Sequence, residues 1–341
     1  DTVWNIHLPY LPFPEHWPVF TPKDRMADWL EAYAGLMELD IWCSTRARQA
    51  RYDAAAGVWE VEVERDGEPV TLRPRQLVLA TGMSGAPHRP VPQGADSFLG
   101  VQCHSSDYRG GEAFAGKRCV VIGSNNSAHD IAAELWECGA DVTMVQRSPT
   151  LVVKAETQIR HFSSKLYSEA ALAQGIGTEQ ADFIAASRPY AILPALHRAL
   201  YDQIRREDAV FYRQLADTGF MLDFGEDDSG LSMKYLRRGS GYYIDVGASD
   251  LIIRGEIKLR SRVGIARILP HGVELDDGTM LEAELIVYAT GFEPMESWIA
   301  RLLSPEIAAL VGPVWGLGSG TRRDPGPWSG ELRNMWKPTR Q

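Results

Sequence analysis

A strand, a loop, a helix and a second strand fill the segment from residue 118 to residue 145. This segment constrains the fold more than any other. Arg118–Ile122 is a continuous apolar run after its first residue, as in a parallel strand covered on both faces. Ala128–Gly139 carries apolar residues at helical spacing, and Val142–Val145 is apolar again. A βαβ unit of about 30 residues is predicted, and with it an α/β, Rossmann-like fold.

The loop between this strand and this helix matches most of the dinucleotide-binding pattern GxGxxA, with Asn125 in place of the middle glycine. Asn tolerates a left-handed backbone, so a tight turn at Asn125 is expected. Amides at the helix start would then hold a pyrophosphate. An ordinary βαβ turn is the alternative. The candidate cofactor-binding residues of the loop are Gly123, Ser124, Asn125, Asn126 and Ser127.

The residues that end the second strand bear on the choice of nucleotide. A site for NAD needs a carboxylate there, whereas a site for NADP uses an arginine near the 2′-phosphate. The chain has Arg147 and Ser148 at this point and no carboxylate. NADPH is therefore the predicted nucleotide, although a solvated surface arginine is the common alternative.

Composition limits the class of protein. The 341 residues suffice for about two domains. A net charge of −10 argues against a nucleic-acid partner. No apolar run approaches the roughly 18 residues of a membrane span, so no transmembrane segment is expected. The four cysteines form no CxxC pair, which indicates a reducing, cytoplasmic setting. The acidic run 226–228 is interpreted as a solvated turn, and no metal site is expected.

Weaker patterns describe the rest of the chain. Thr21 and Pro22 predict a helix start, 41–43 a short strand, and alternating residues from Trp59 to Leu72 a β-meander. Residues 151–220 are expected to be mainly helical. The tail from Gly312 to Pro338 is rich in glycine, proline and tryptophan.

Two Ala-Thr-Gly triplets each follow an apolar run that predicts a buried strand. The runs are Gln76–Ala80 and Leu285–Ala289. Glycine permits close approach of the backbone to a cofactor, although each triplet alone also fits a simple strand end. The candidate residues of the triplets are Thr81, Gly82, Thr290 and Gly291.

The most specific motif is FxGxxxHxxx(Y/F), which Phe98, Gly100, His104 and Tyr108 fill. With the loop at 123–128 and the two triplets, it makes the chain resemble the flavin-containing monooxygenase family, particularly microbial members related to the plant YUCCA-type enzymes. The resemblance covers nearly the whole chain. Arg-Gly rather than Trp-Pro follows the tyrosine, which favours the N- or S-oxygenating (N,N-dimethylaniline monooxygenase-like) or YUCCA-like branch over Baeyer–Villiger enzymes.

The resemblance implies a flavoprotein with two dinucleotide-binding domains, parallel sheets, a β-meander and a helical insertion at about 151–240. The FAD-binding domain would comprise 1–112 and 276–341, and the NADP-binding domain 113–275. With FAD and NADPH as cofactors, one oxygen atom from O2 would enter a small organic substrate through a C4a-hydroperoxyflavin. His104 would have a structural role, and no side chain is assigned as acid or base.

One departure from the family pattern is expected to matter. No GxGxxG precedes residue 98, so the chain is predicted to lack the unit that holds the FAD pyrophosphate. It would then be a fragment, unstable or free of flavin on its own, with Val78 and Ile286 left without a neighbouring strand. Two alternatives to a monooxygenase stay open: a reductase built on the disulfide-reductase plan, and a non-catalytic nucleotide-binding fragment.

Overall fold

The computed structural model describes residues 2–4, 6–14, 16–190, 192–314 and 316. The chain divides into two compact units. Unit 1 comprises Asp1–Val78 and Glu156–Pro189, and unit 2 comprises Leu79–Ala155 and Tyr190–Gln341.

Unit 1 contains an antiparallel meander in the order β1-β2-β3. Strand β2 alternates buried Val61 and Val63 with more exposed glutamates, as the sequence predicts. Asp66 and Gly67 both have positive φ, which suits the tight turn between β2 and β3. The elements of this unit are α1 (Lys23–Leu36), β1 (Thr45–Asp53), β2 (Val58–Arg65), β3 (Glu68–Leu72), a π-helical turn (Ile159–Ser163), α4 (Glu169–Ala173) and α5 (Thr178–Ala186).

Two expectations for unit 1 are wrong in detail. Pro22, not Thr21, caps α1, and it supplies no side-chain hydrogen bond. Residues 41–43 form no strand, whereas β1 begins at Thr45. The sequence does not reveal β1 because Ala50 is its one buried residue and the rest of its side chains are mostly polar.

Unit 2 is built on a parallel sheet with the strand order β4-β13-β5-β6-β9. The predicted βαβ unit is confirmed as β5, α2 and β6. The strands of unit 2 are β4 (Val101–His104), β5 (Arg118–Ile122), β6 (Asp141–Gln146), β7 (Leu151–Lys154), β8 (Tyr242–Asp245), β9 (Lys258–Ser261), β10 (Ile265–Leu269), β11 (Gly272–Leu275), β12 (Met280–Glu282) and β13 (Leu285–Tyr288). Its helices are α2 (Asn126–Glu137), α6 (Leu193–Glu207), α7 (Ala209–Asp217), α8 (Gly230–Arg238), α9 (Ala248–Ile253), α10 (Glu296–Leu302) and α11 (Pro305–Val311), and α3 (Ala155–Gln158) lies where the two units join along the chain.

Smaller sheets and helices complete unit 2. Strands β10, β11 and β12 form an antiparallel sheet, and β7 pairs with β8 in parallel. The predicted helical segment supplies α6 and α7, whose buried side chains include Tyr201, Ile204, Phe211 and Leu215. Each carboxylate of the acidic run 226–228 has an arginine partner.

The two runs that precede the Ala-Thr-Gly triplets have different structures. Leu285–Tyr288 is strand β13 and is fully buried, so Ile286 does have neighbouring strands on both sides. Residues 76–80 show no strand pairing, and Val78 is 71% exposed. The predicted first buried strand is therefore wrong, because the described residues supply no strand to pair with it.

The strand order also bears on the predicted domains. Strands β4 and β13 lie in the ranges assigned to an FAD-binding domain, yet they pair in the same sheet as β5 and β6. Most of the tail from Gly312 to Pro338 lies outside the described residues. All four cysteines are free thiols. None of the described helices combines the length and the apolar character needed to cross a membrane.

Candidate functional site

The nucleotide loop begins at Gly123, where β5 ends beside β13. The Gly123 N–H donates to the Val145 carbonyl at 3.0 Å, and the Ala289 N–H donates to the Ile122 carbonyl at 2.9 Å. Gly123 has φ +133°, and a Cβ atom there would collide with the carbonyl oxygen of Ala289. Glycine is required because the second triplet passes this close to the loop.

Asn125 does not have the left-handed backbone that the sequence predicts. Its φ of −97° and ψ of −168° are extended, and it is the N-cap of α2. Its carbonyl accepts the N–H groups of Ala128 and His129. The prediction is wrong because the N-cap of a helix adopts extended dihedral angles that any residue tolerates.

The side chains of the loop face in different directions. Ser124 is 8% exposed, and its Oγ lies 2.7 Å from Thr150 Oγ1 inside the protein. Asn126 Oδ1 accepts the Ile244 N–H at 3.0 Å, which fastens the start of α2 to β8. Ser127 is exposed. The groups left to meet a ligand are therefore the side chains of Asn125 and Ser127 and the backbone amides of Asn126 and Ser127, because the Ala128 N–H already donates to the Asn125 carbonyl.

Arg147 and Ser148 follow β6 at the same edge of the sheet and are exposed. In the described part of the chain, no carboxylate forms an ion pair with Arg147. An unpaired guanidinium beside a helix N-terminus suits a phosphate, because both favour negative charge.

The first half of the fingerprint is a packing unit. Phe98 is 9% exposed and belongs to the core beneath the sheet. A Cβ atom at Gly100 would lie 2.7 Å from the Phe98 ring and 2.5 Å from the Glu284 carbonyl oxygen. The spacing of these two residues therefore reflects close packing beside β13.

His104 joins the fingerprint to the second triplet. It is 1% exposed, and its Nε2 donates to the Gly291 carbonyl at 2.9 Å. Its Nδ1 accepts the Ser106 N–H at 3.1 Å. Burial lowers the pKa of His104, so the ring is neutral with its proton on Nε2.

Tyr108 joins the fingerprint to α2. Its hydroxyl donates to Glu134 Oε2, and the Gly111 N–H donates to Glu134 Oε1 at 3.0 Å. Burial raises the pKa of Tyr108, which keeps the hydroxyl a donor. The fingerprint is thus tied at one end to the second triplet and at the other to the helix that begins at the nucleotide loop.

The two triplets differ again at their final residues. Thr290 Oγ1 donates to the His88 carbonyl at 2.6 Å, and the His88 N–H donates to the Gly291 carbonyl at 3.0 Å. Thr81 and Gly82 are exposed and belong to no helix or strand. The contacts that join the loop, the second triplet and the fingerprint do not include Thr81 or Gly82.

Sequence reasoning missed three residues that shape this site. Thr150 and Glu134 bond to residues far along the chain, and no local pattern marks them. His129 is fully buried, stacks on Tyr243 at 3.9 Å between ring centroids, and directs Nδ1 at the Asn125 carbonyl at 3.2 Å. Burial lowers the pKa of His129 to about 4. Its position on the apolar face of α2 was the available signal.

Comparison with known proteins shows which family the chain is similar to. The profile of FMO-like proteins, described as Flavin-binding monooxygenase-like, matches residues 6–164. Indole-3-pyruvate monooxygenase YUCCA1 of Oryza sativa subsp. japonica is 31% identical over 294 residues, which are 86% of this chain and 64% of that protein. The chain thus spans less than two thirds of this relative's length.

Solved structures share the fold. Cyclohexanone monooxygenase from Rhodococcus sp. Phi1 bound to NADP+ has a TM-score of 0.59 at 20% identity, over 84% of this chain and 59% of that one. The bacillithiol disulfide reductase Bdr from Bacillus cereus has a TM-score of 0.54 at 16% identity, over 89% of this chain and 66% of that one. The α/β fold of two-dinucleotide-binding flavoproteins is thereby confirmed. The profile, the rice relative and the intact fingerprint together support a flavin-containing monooxygenase family for this chain.

Proposed function

We propose that the protein is an FAD- and NADPH-dependent monooxygenase that inserts one oxygen atom from O2 into a small organic substrate. One observation carries the proposal: the family fingerprint is bonded to both the second triplet and the nucleotide helix. His104 donates to Gly291, and Tyr108 donates to Glu134 of α2. The motif thus joins the second triplet to the helix that begins at the nucleotide loop.

The loop fits a dinucleotide. Its helix starts at Asn126, and no carboxylate among the described residues forms an ion pair with Arg147. In this proposal the pyrophosphate meets Asn125, Ser127 and the first-turn amides. The 2′-phosphate meets Arg147 and Ser148, which selects NADPH over NADH.

Fewer residues are candidates for binding the flavin, namely Thr81, Gly82, Thr290 and Gly291. Among the described residues, the strand–glycine loop–helix unit at Gly123 is the one that suits a pyrophosphate, and it is assigned here to NADPH. When both cofactors are bound, NADPH supplies electrons and FAD is where O2 is activated.

In this proposal the chain's own residues position and shield the cofactors, and they do not transfer protons. Both ring nitrogens of His104 are engaged by protein groups, so we do not propose it as acid or base. We propose that the NADP-binding domain spans about 113–275, with strands β4 and β13 added to its sheet. The remaining parts of 1–112 and 276–341 would belong to FAD binding.

A disulfide reductase shares the fold, so the fold does not choose between the two activities. The sequence relation to a monooxygenase and the fingerprint favour oxygen transfer. The rice relative is named for indole-3-pyruvate, which makes this 2-oxo acid the first substrate to test.

The test adds FAD to the 341-residue chain and first measures flavin binding, because the sequence predicts that the chain is free of flavin on its own. Once flavin is bound, we expect NADPH oxidation under air that rises when indole-3-pyruvate is present, and a product that carries label from isotopically labelled O2. NADH at the same concentration is the matched control. NADPH-dependent reduction of a disulfide without oxygen uptake would replace this proposal with the reductase.

A further inference from the structure

Thr150 lies under the nucleotide loop and is held by its backbone. It follows β6 in the chain and is 1% exposed. Its N–H donates to the Met221 carbonyl at 3.0 Å, and its carbonyl accepts the Asp223 N–H at 3.1 Å. The side-chain hydroxyl is therefore presented to the loop from a fixed position.

The hydrogen bonds made by the Thr150 hydroxyl run in one direction. Thr150 Oγ1 donates to Asn125 Oδ1 at 3.3 Å, and an amide oxygen can only accept. A hydroxyl has a single proton, so Thr150 accepts from Ser124, whose Oγ lies 2.7 Å away. The chain of bonds runs from buried Ser124 through buried Thr150 to half-buried Asn125.

The Asn125 carboxamide is turned with its oxygen toward Thr150. A carboxamide has an oxygen that accepts and a nitrogen that donates, on opposite sides of one carbon. With Oδ1 bonded to buried Thr150, Nδ2 faces away from Thr150. The pyrophosphate of a dinucleotide accepts hydrogen bonds and has no proton to donate near neutral pH, so it needs Nδ2 and would be repelled by Oδ1.

We propose that Thr150 is a positioning residue that holds the Asn125 amide nitrogen toward the pyrophosphate of a bound dinucleotide. The inference rests on the proposed nucleotide site. Thr150 itself touches no ligand in this arrangement. Thr150 acts through Asn125. Ser124 strengthens the hydrogen bond from Thr150 to Asn125 by donating to Thr150.

The test measures the dissociation constant of NADP+ by calorimetry for the 341-residue chain, without flavin turnover. Thr150→Val keeps the shape and removes the donor, and we expect binding about fivefold weaker, as for the loss of one hydrogen bond. Thr150→Ser keeps the donor and should bind as the unchanged protein does. In an Asn125→Ala background, Thr150→Val should have no further effect, because the amide it orients is gone.

The outcomes separate the two proposals. If the unchanged protein does not bind NADP+, the proposed function fails. If it binds, an equal loss from Thr150→Val with and without Asn125 would overturn the positioning role, as would unchanged binding by Thr150→Val. Should Thr150→Val fail to fold, Thr150→Cys takes its place, since a thiol is only a weak donor, and the same cycle with Asn125→Ala is measured.

Discussion

The two Ala-Thr-Gly triplets show how one short motif can have two structural outcomes. Both follow apolar runs of similar length, at Gln76–Ala80 and Leu285–Ala289. The second run forms a strand between β4 and β5 and is buried, whereas the first forms no strand and leaves Val78 71% exposed. A strand needs partners for its backbone groups, so neighbours rather than local sequence decide whether such a run is buried.

The largest expected difference between the two triplets is in stability. Ile286→Ala removes a fully buried side chain from the parallel sheet and should lower the free energy of unfolding by about 2–5 kcal/mol. Val78→Ala, the matched control, should change it by less than about 0.5 kcal/mol. Urea unfolding followed by circular dichroism measures both. Equal decreases in the free energy of unfolding would mean that Val78 is buried in solution, and would contradict the difference between the two runs.

Next in size is the effect of a methyl group at the two glycines. Gly123→Ala would place a Cβ atom against the Ala289 carbonyl at positive φ, and should cost about 2–4 kcal/mol and abolish NADP+ binding. Gly82→Ala meets nothing within 4 Å at φ +69°, so only backbone strain of about 1 kcal/mol is expected. The same calorimetric and unfolding measurements apply. NADP+ binding by Gly123→Ala at unchanged affinity would contradict the close packing of loop and triplet.

A smaller effect concerns the charge at the end of β6. Arg147→Ala should weaken NADPH binding by about 10- to 100-fold and leave NADH binding nearly unchanged, because one charge-assisted phosphate contact is lost. Arg75→Ala removes an exposed arginine close to the first triplet and serves as the control. Dissociation constants for both nucleotides decide the matter. Similar losses for NADPH and NADH would remove Arg147 from the 2′-phosphate site.

The smallest effect expected is the pH dependence of stability caused by two buried histidines, His104 beside the second triplet and His129 in α2. Burial lowers the pKa of His104, and lowers that of His129 to about 4. In the unfolded chain both imidazoles have a pKa of about 6.5. The unfolded state therefore binds more protons than the folded state below that pH. Their contribution to stability is complete above about pH 6.5 and is lost as the pH falls toward 4.

We therefore expect the free energy of unfolding to be roughly 1 kcal/mol lower at pH 5.5 than at pH 7.5 on account of His129. His104→Asn is the comparison variant, since its amide oxygen can replace Nδ1 as the acceptor for the Ser106 N–H and does not titrate. Urea unfolding at the two pH values measures both proteins. A pH dependence no smaller in this variant would show that His104 adds nothing to the acid sensitivity.

Part of the nucleotide site could be found from local pattern and part could not. The strand, glycine loop and helix at Gly123, and the exposed arginine at 147, follow from short-range spacing. The backbone of Asn125 was misjudged because its role as N-cap depends on where α2 begins. Ser124 was expected to face a ligand, and its inward direction depends on Thr150, which lies 26 residues away.

The sequence by itself determined the βαβ unit, the hairpin of β2 and β3 in unit 1 and the family fingerprint, since periodicity and motif spacing act over a few residues. Only the tertiary structure decided which triplet lies beside the nucleotide loop and what the fingerprint binds. His104 meets Gly291 across 187 residues, and Tyr108 meets Glu134 across 26. Such partners are selected by strand order in the sheet, which depends on how all the strands pair together and not on the residues beside them in the chain.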